Sequence, residues 1–210
     1  MSFVNVAERT SSSLMTQETS RTSNPVPVWL LDVDGVVNAH TNSPQRLLSA
    51  WPKEAWVDTE ADGGRKVWQI QAATPVVDFI RKVHDSGLAE IRWHTTWQEH
   101  ALNVGRAIGL PDFPIHDAPE YDPGFWHRVR GTDSWWKLPS VTRLVHLEKR
   151  ALIWTDDDID YEMTKQQRRS LQEDNRVLLI APDAYVGLCQ VHLDKIDKFL
   201  SPGDEEEPQK

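Results

Sequence analysis

Cysteine is nearly absent: Cys189 is the single one in 210 residues. A lone cysteine excludes an internal disulfide framework and a thiolate-rich metal centre, and it fits a reducing, cytoplasmic setting. No apolar run approaches the ~20 residues that a membrane-spanning helix needs, so no membrane association is expected. The first residues lack the basic start and apolar core of a signal peptide. Basic charge is in deficit. Lys and Arg total 23 against 32 Asp and Glu, a formal net charge of −9, which excludes a molecule whose whole surface attracts nucleic acid. The stretch Gly203–Lys210 carries four acids and one lysine, so a third of that excess lies in the last residues.

What the chain has in abundance is tryptophan, ten in all. Rings of that size need buried places, so most are expected in the core or in flaps over it. Residues 1–24 are rich in Ser and Thr and read as a flexible arm. Residues 25–201 are long enough for one domain with a real core, and 202–210 read as an acidic, flexible tail. The apolar runs Val28–Val33, Ala89–His94, Ala151–Trp154 and Val177–Ala181 predict buried strands. Helices are predicted at Thr74–Gly87, with Thr74 as cap and Pro75 in the first turn, and at Gln98–Ile108, closed by Gly109. Others are predicted at Pro139–Arg150, Tyr161–Glu173 and Leu188–Leu200. Ala55–Val57 and Lys66–Ile70 flank Asp62-Gly63-Gly64 and predict a β-hairpin flap. Pro111–Leu138 is irregular. Strands alternating with helices predict a three-layer α/β domain with a mainly parallel sheet, and right-handed crossovers bring the strand ends to one edge.

Three of those strands end in residues that bear chemistry. The first delivers Asp32, Asp34 and Gly35. In extended geometry residues two apart share a side, so two like charges crowd together, and a magnesium ion would relieve them because it favours carboxylate oxygens. The second strand delivers Thr95 and Thr96, and the third Asp156, Asp157 and Asp158. Each has a bland alternative. Asp-Gly is a common turn, a lone lysine such as Lys137 is usually solvated, and acids gather at helix N-termini. Convergence on one edge suits phosphoryl transfer through a carboxylate nucleophile. One acid attacks, a second moves protons, hydroxyl and N–H donors hold the phosphate, and a lysine offsets charge. His94, His116 and His127 have no compact ligand spacing and are read as structural or substrate-contact residues, not a zinc site.

The order Asp-Val-Asp-Gly-Val-Val, a strand ending in Thr, a Lys, then Asp-Asp resembles the haloacid dehalogenase (HAD) superfamily. The resemblance spans roughly Val28 to Leu200. Trp93–Trp97, Trp136-Lys137 and Leu152–Asp157 further resemble the small HAD domains of Swiss-army-knife RNA-repair and phage or actinobacterial proteins. The resemblance implies a Rossmann-like HAD fold and a Mg²⁺-dependent phosphatase. Asp32 would be the nucleophile and Asp34 the general acid/base, its backbone carbonyl also meeting the metal. Thr95 would bind phosphate, helped by N–H groups around Thr96 and Gly35. Lys137 would stabilise the transition state and contact the phosphate. Asp32, Asp34, Asp156 and Asp157 would hold Mg²⁺, with Asp158 extending the cluster.

Neither the segment between Thr96 and Lys137 nor the hairpin region has room for a large cap domain. By analogy an open site favours a polymer, so a polynucleotide 3′-phosphatase of nucleic-acid repair is the first substrate reading. Arg128, Arg130, Lys137 and Arg143 would then form a local phosphate-binding strip. The alternatives are a nucleotide-type small-molecule phosphatase and a nucleic-acid-binding module with little chemistry. Trp97, Trp126, Trp135 and Trp136 are candidates for core packing, a lid, or base stacking.

Overall fold

The computed structural model describes residues 25–41, 43–117, 135–173 and 175–201. The arm 1–24, the tail 202–210, and Trp126, His127, Arg128 and Arg130 lie outside the described residues. Six strands are described: β1 Val28–Leu31, β2 Trp56–Asp62, β3 Val67–Ala73, β4 Glu90–Trp93, β5 Leu152–Thr155 and β6 Val177–Ile180. The helices are α1 Pro44–Leu48, α2 Thr74–Asp85, α3 Ala101–Ile108, α4 Leu138–Thr142, α5 Ile159–Glu162, α6 Lys165–Gln172 and α7 Gln190–Leu200.

The central sheet runs β4-β1-β5-β6 and every pairing in it is parallel. All four residues of β1 are completely buried, as a strand covered on both faces requires. Alternation along the strand divides them. Trp29 and Leu31 join one apolar cluster with Ile80 of α2, Val104 of α3 and Ile196 of α7. Val28 and Leu30 join a second with Val141 of α4, Ile159 of α5 and Leu171 of α6. Helices therefore cover both faces of a parallel α/β sheet. Strands β2 and β3 form a separate antiparallel pair. Ala61, Ile70 and Ala72 turn inward to the first cluster, while Asp58, Glu60, Asp62 and Gln69 face solvent.

Several local expectations need correction. Thr74 does not cap α2. The extended residue before the helix is Ala73, so Thr74 is already in the first turn, because β3 runs straight into α2. The polar helix foreseen at 161–173 is two helices, broken at Met163. Thr164 restarts the second one with a capping box to Gln167, a Thr-x-x-Gln signature. The helix foreseen at 139–150 is α4 followed by a wider π-type turn over Arg143–Leu147. Val141, Leu144 and Val145 still point inward. The short helix α1 was not foreseen.

Candidate active site at the carboxyl edge of the sheet

The parallel ladder continues one residue beyond three strands. The Asp32 N–H donates to the Thr155 carbonyl at 3.1 Å, the His94 N–H to Leu31 at 2.9 Å, and the Asp156 N–H to Ile180 at 3.1 Å. Backbone pairing alone thus sets Asp32, Thr95 and Asp156 at one edge, as the alternation of elements predicted.

Lys137 closes the group. It precedes α4, and its Nζ donates to Asp32 Oδ2 at 2.7 Å and to Asp156 Oδ2 at 2.5 Å. All three side chains are buried, with Lys137 only 2 % exposed, so the solvated-lysine alternative is excluded. Burial alone would pull the Lys137 pKa down, but Asp156 and Asp32 outweigh it and hold the ammonium above its ordinary value. One ammonium cannot neutralise two carboxylates. Burial, together with Asp32 and Asp157, holds Asp156 well above the usual carboxylate range despite Lys137. Asp157 is pushed up to about 7 by burial and by Asp32 and Asp158. Asp158 is also raised, mainly by burial.

That surplus of negative charge is the test of whether a metal fits. Asp32, Asp156 and Asp157 offer carboxylate oxygens within 4.8 Å of one another. A buried, under-neutralised, all-oxygen donor set suits a hard divalent cation. Gly35 makes room for the Asp157 carboxylate. The glycine sits at φ +69°, and a Cβ there would fall 2.3 Å from Asp157 Cγ. The Gly35 N–H, expected near phosphate, donates instead to the Asn38 carbonyl at 2.8 Å. Asp158 precedes α5, and its N–H donates to Asp156 Oδ1 at 3.1 Å. The helix-terminus alternative for this triplet therefore describes Asp158 in part.

Asp34 is less buried than Asp32 and makes no ion pair with Lys137 among the described residues. Its Oδ1 accepts from the Asn38 side-chain amide at 2.7 Å and its Oδ2 from the Trp97 indole N–H at 2.8 Å. Thr95 is buried, and its hydroxyl oxygen accepts the Trp97 N–H at 3.3 Å. Thr96 is half-buried beside it. Behind Lys137, Ser140 donates its hydroxyl proton to the Lys137 carbonyl at 3.0 Å and lies 3.1 Å from His94 Nε2. With that proton used, the bond network assigns the His94 proton to Nε2. Burial, reinforced by the charge of Lys137, holds His94 well below its ordinary pKa. His94 is thus a neutral structural support, and His116 lies against it with ring centroids 5.1 Å apart.

Of the suggested basic strip, Arg128 and Arg130 lie outside the described residues, and the other two cations already have partners. Lys137 is buried between two aspartates, and Arg143 is engaged by Asp117 and Glu148. Trp135 is a core residue stacked on Trp154 at 4.7 Å, and Trp136 contacts His94. Sequence reasoning missed Asn38 and Ser140, and treated Trp97 only as packing, lid or stacking material. Asn38 and Ser140 each have one near partner, Asp34 and Lys137, but their bonds to Gln71 and His94, and that of Trp97 to Asp34, span 33, 46 and 63 residues, and no local motif marks them. Comparison with protein-family models, with curated proteins and with solved structures gave no match.

Proposed function

We propose that this chain is a phosphomonoester hydrolase of HAD type that works through an aspartyl-phosphate on Asp32. The observation that carries the reading is the buried Asp32–Lys137–Asp156 group with Asp157 and Asp34 beside it, drawn from three separate parts of the chain. A purely structural core has little reason to bury two carboxylates around one ammonium with a third half-buried beside them, because desolvating charges is costly.

Asp32 attacks phosphorus as the bond to the ester oxygen breaks, and Asp34 gives that oxygen its proton. Water then attacks the phosphorus of the acyl phosphate. Asp34 takes the proton, inorganic phosphate departs, and Asp32 is regenerated. Lys137 counters the charge on Asp32 and on the transferring group. Thr95 and Thr96 supply donors for the phosphate oxygens, with Gly35 lining the same turn. Asp32, Asp156, Asp157 and the backbone of Asp34 would hold Mg²⁺, which screens the nucleophile from the anionic substrate.

A small phosphate is the preferred substrate reading over a polymer end. Asp32 is only 6 % exposed, and two of the four cations suggested for a backbone path are already paired. These points favour the small, nucleotide-type substrate over a polynucleotide 3′ end. Hydrolysis of p-nitrophenyl phosphate with Mg²⁺ tests the reaction, and Asp32→Asn is expected to abolish it. A wild-type chain inert toward every phosphomonoester overturns the proposal. Free nucleotides assayed beside a 3′-phosphorylated oligonucleotide separate the substrate classes, and faster turnover of the oligonucleotide would restore the polymer reading.

A further inference from the structure

The β2–β3 hairpin is fastened to Asp34 by two routes. Asn38 joins one oxygen to the strand: its amide nitrogen donates to Asp34 Oδ1 at 2.7 Å, and its own Oδ1 accepts the backbone N–H of Gln71 in β3 at 2.8 Å. The neighbouring Ala39 N–H donates to the Gln71 carbonyl at 2.9 Å, so the turn after β1 pairs with β3 over two consecutive residues. Trp97 serves the other oxygen. Its indole N–H donates to Asp34 Oδ2, and its ring packs against Trp68 of β3 with centroids 6.2 Å apart and planes inclined at 59°. Trp68 pairs with Ala61 and so shares its side of the hairpin, where it stays exposed, and Lys66 lies over its ring at 3.3 Å from the centroid.

We infer that Asn38 and Trp97 are positioning residues that aim the Asp34 carboxyl, and that the hairpin sets that aim through Gln71 and Trp68. The inference rests on the phosphatase reading and assigns the flap a part in proton delivery rather than in substrate binding alone. A carboxylate oxygen has room for more than one hydrogen-bond partner, so either Asp34 oxygen can meet the ester oxygen while keeping its present donor. Two donors on different oxygens fix both the rotation and the tilt of the group. A proton donor loses efficiency when it strays from hydrogen-bond reach of the departing oxygen.

The test uses leaving groups that differ in their need for a proton. A nitrophenolate departs readily without one, whereas an alkoxide does not. Trp97→Phe keeps a ring against Trp68 and removes the N–H. Its kcat/KM for an alkyl phosphate, divided by its kcat/KM for p-nitrophenyl phosphate, is expected to fall at least about tenfold relative to the wild type, the share of general-acid catalysis lost with one of two orienting bonds. That quotient reports the first step alone, because both esters leave the same phosphoenzyme and its hydrolysis is common to them. Trp68→Ala keeps both donors and removes the ring behind Trp97, and its ratio is expected to fall in the same direction by roughly threefold. An unchanged ratio in folded Trp97→Phe, or equal losses on both esters, overturns the inference while the hydrolase reading stands. Should Trp97→Phe fail to fold by circular dichroism, an unchanged ratio in Trp68→Ala overturns it. A wild type that cleaves neither ester removes both.

Discussion

Asp157 is the residue whose proton is most informative. Its pKa of about 7 belongs to the metal-free cluster and arises from burial and the nearby charges of Asp32 and Asp158. A cation at the cluster must displace that proton, because only the carboxylate ligates well. Apparent Mg²⁺ affinity is therefore expected to weaken as pH falls through 7, by roughly fivefold between pH 7 and pH 6 for one proton. Calorimetry at the two pH values, in two buffers of different ionisation heat, measures both the affinity and the proton released. Asp157→Asn is expected to flatten the dependence. Equal wild-type affinity at pH 6 and 7 would contradict the assignment. The sign for stability follows from the same raised pKa. Without metal, the folded state holds a proton on Asp157 that the unfolded chain has already lost above about pH 4. This contribution is present below that pH and fades as pH rises through 7.

The turn after β1 is the element on which the site depends most. Gly35 lies in the left-handed region with Asp157 where its Cβ would be. Gly35→Ala is expected to lower unfolding stability by at least about 1–2 kcal/mol from the backbone alone and to weaken Mg²⁺ binding. Urea unfolding and metal titration check both. A stable variant with intact metal affinity would show that the turn and the cluster are independent. How much of this was legible beforehand depends on the reach of each signal. The strands were visible because Val28–Leu31 and Leu152–Thr155 are continuous apolar runs, and parallel topology then brought their ends together. The hairpin was visible in its Gly-Gly turn. The break at Thr164 had a readable signature that a longer polar pattern masked. The bonds from Asn38 to Gln71 and from Trp97 to Asp34 left no such trace, since their partners are 33 and 63 residues away.

At the scale of the whole molecule, Lys137 links β1, β5 and the start of α4 through one ammonium. Replacing it with methionine keeps the volume and leaves Asp32 and Asp156 buried without a counter-charge. Lys137→Met is expected to cost roughly 3–5 kcal/mol of stability at neutral pH, and hydrolysis is expected to vanish. Acid should partly restore the variant, because carboxyls whose folded pKa is raised favour the folded state at low pH and oppose it as pH rises. Unfolding midpoints of wild type and variant between pH 5 and pH 8 check this. A gap that does not narrow toward pH 5 would place the loss in packing rather than charge. Among the described residues no helix is long and apolar enough to cross a membrane.

The separation between Asp32 and Lys137, 105 residues along the chain, also has a consequence in time. During synthesis Asp32 emerges long before Lys137, and the strand that precedes Asp156 follows later still. Such distant parallel pairings form slowly, so a partly made chain carries Asp32 with neither its counter-charge nor its neighbouring carboxylates. Under the proposed function, reactivity would then arrive as one of the last events of folding, and unfinished chains would be chemically silent.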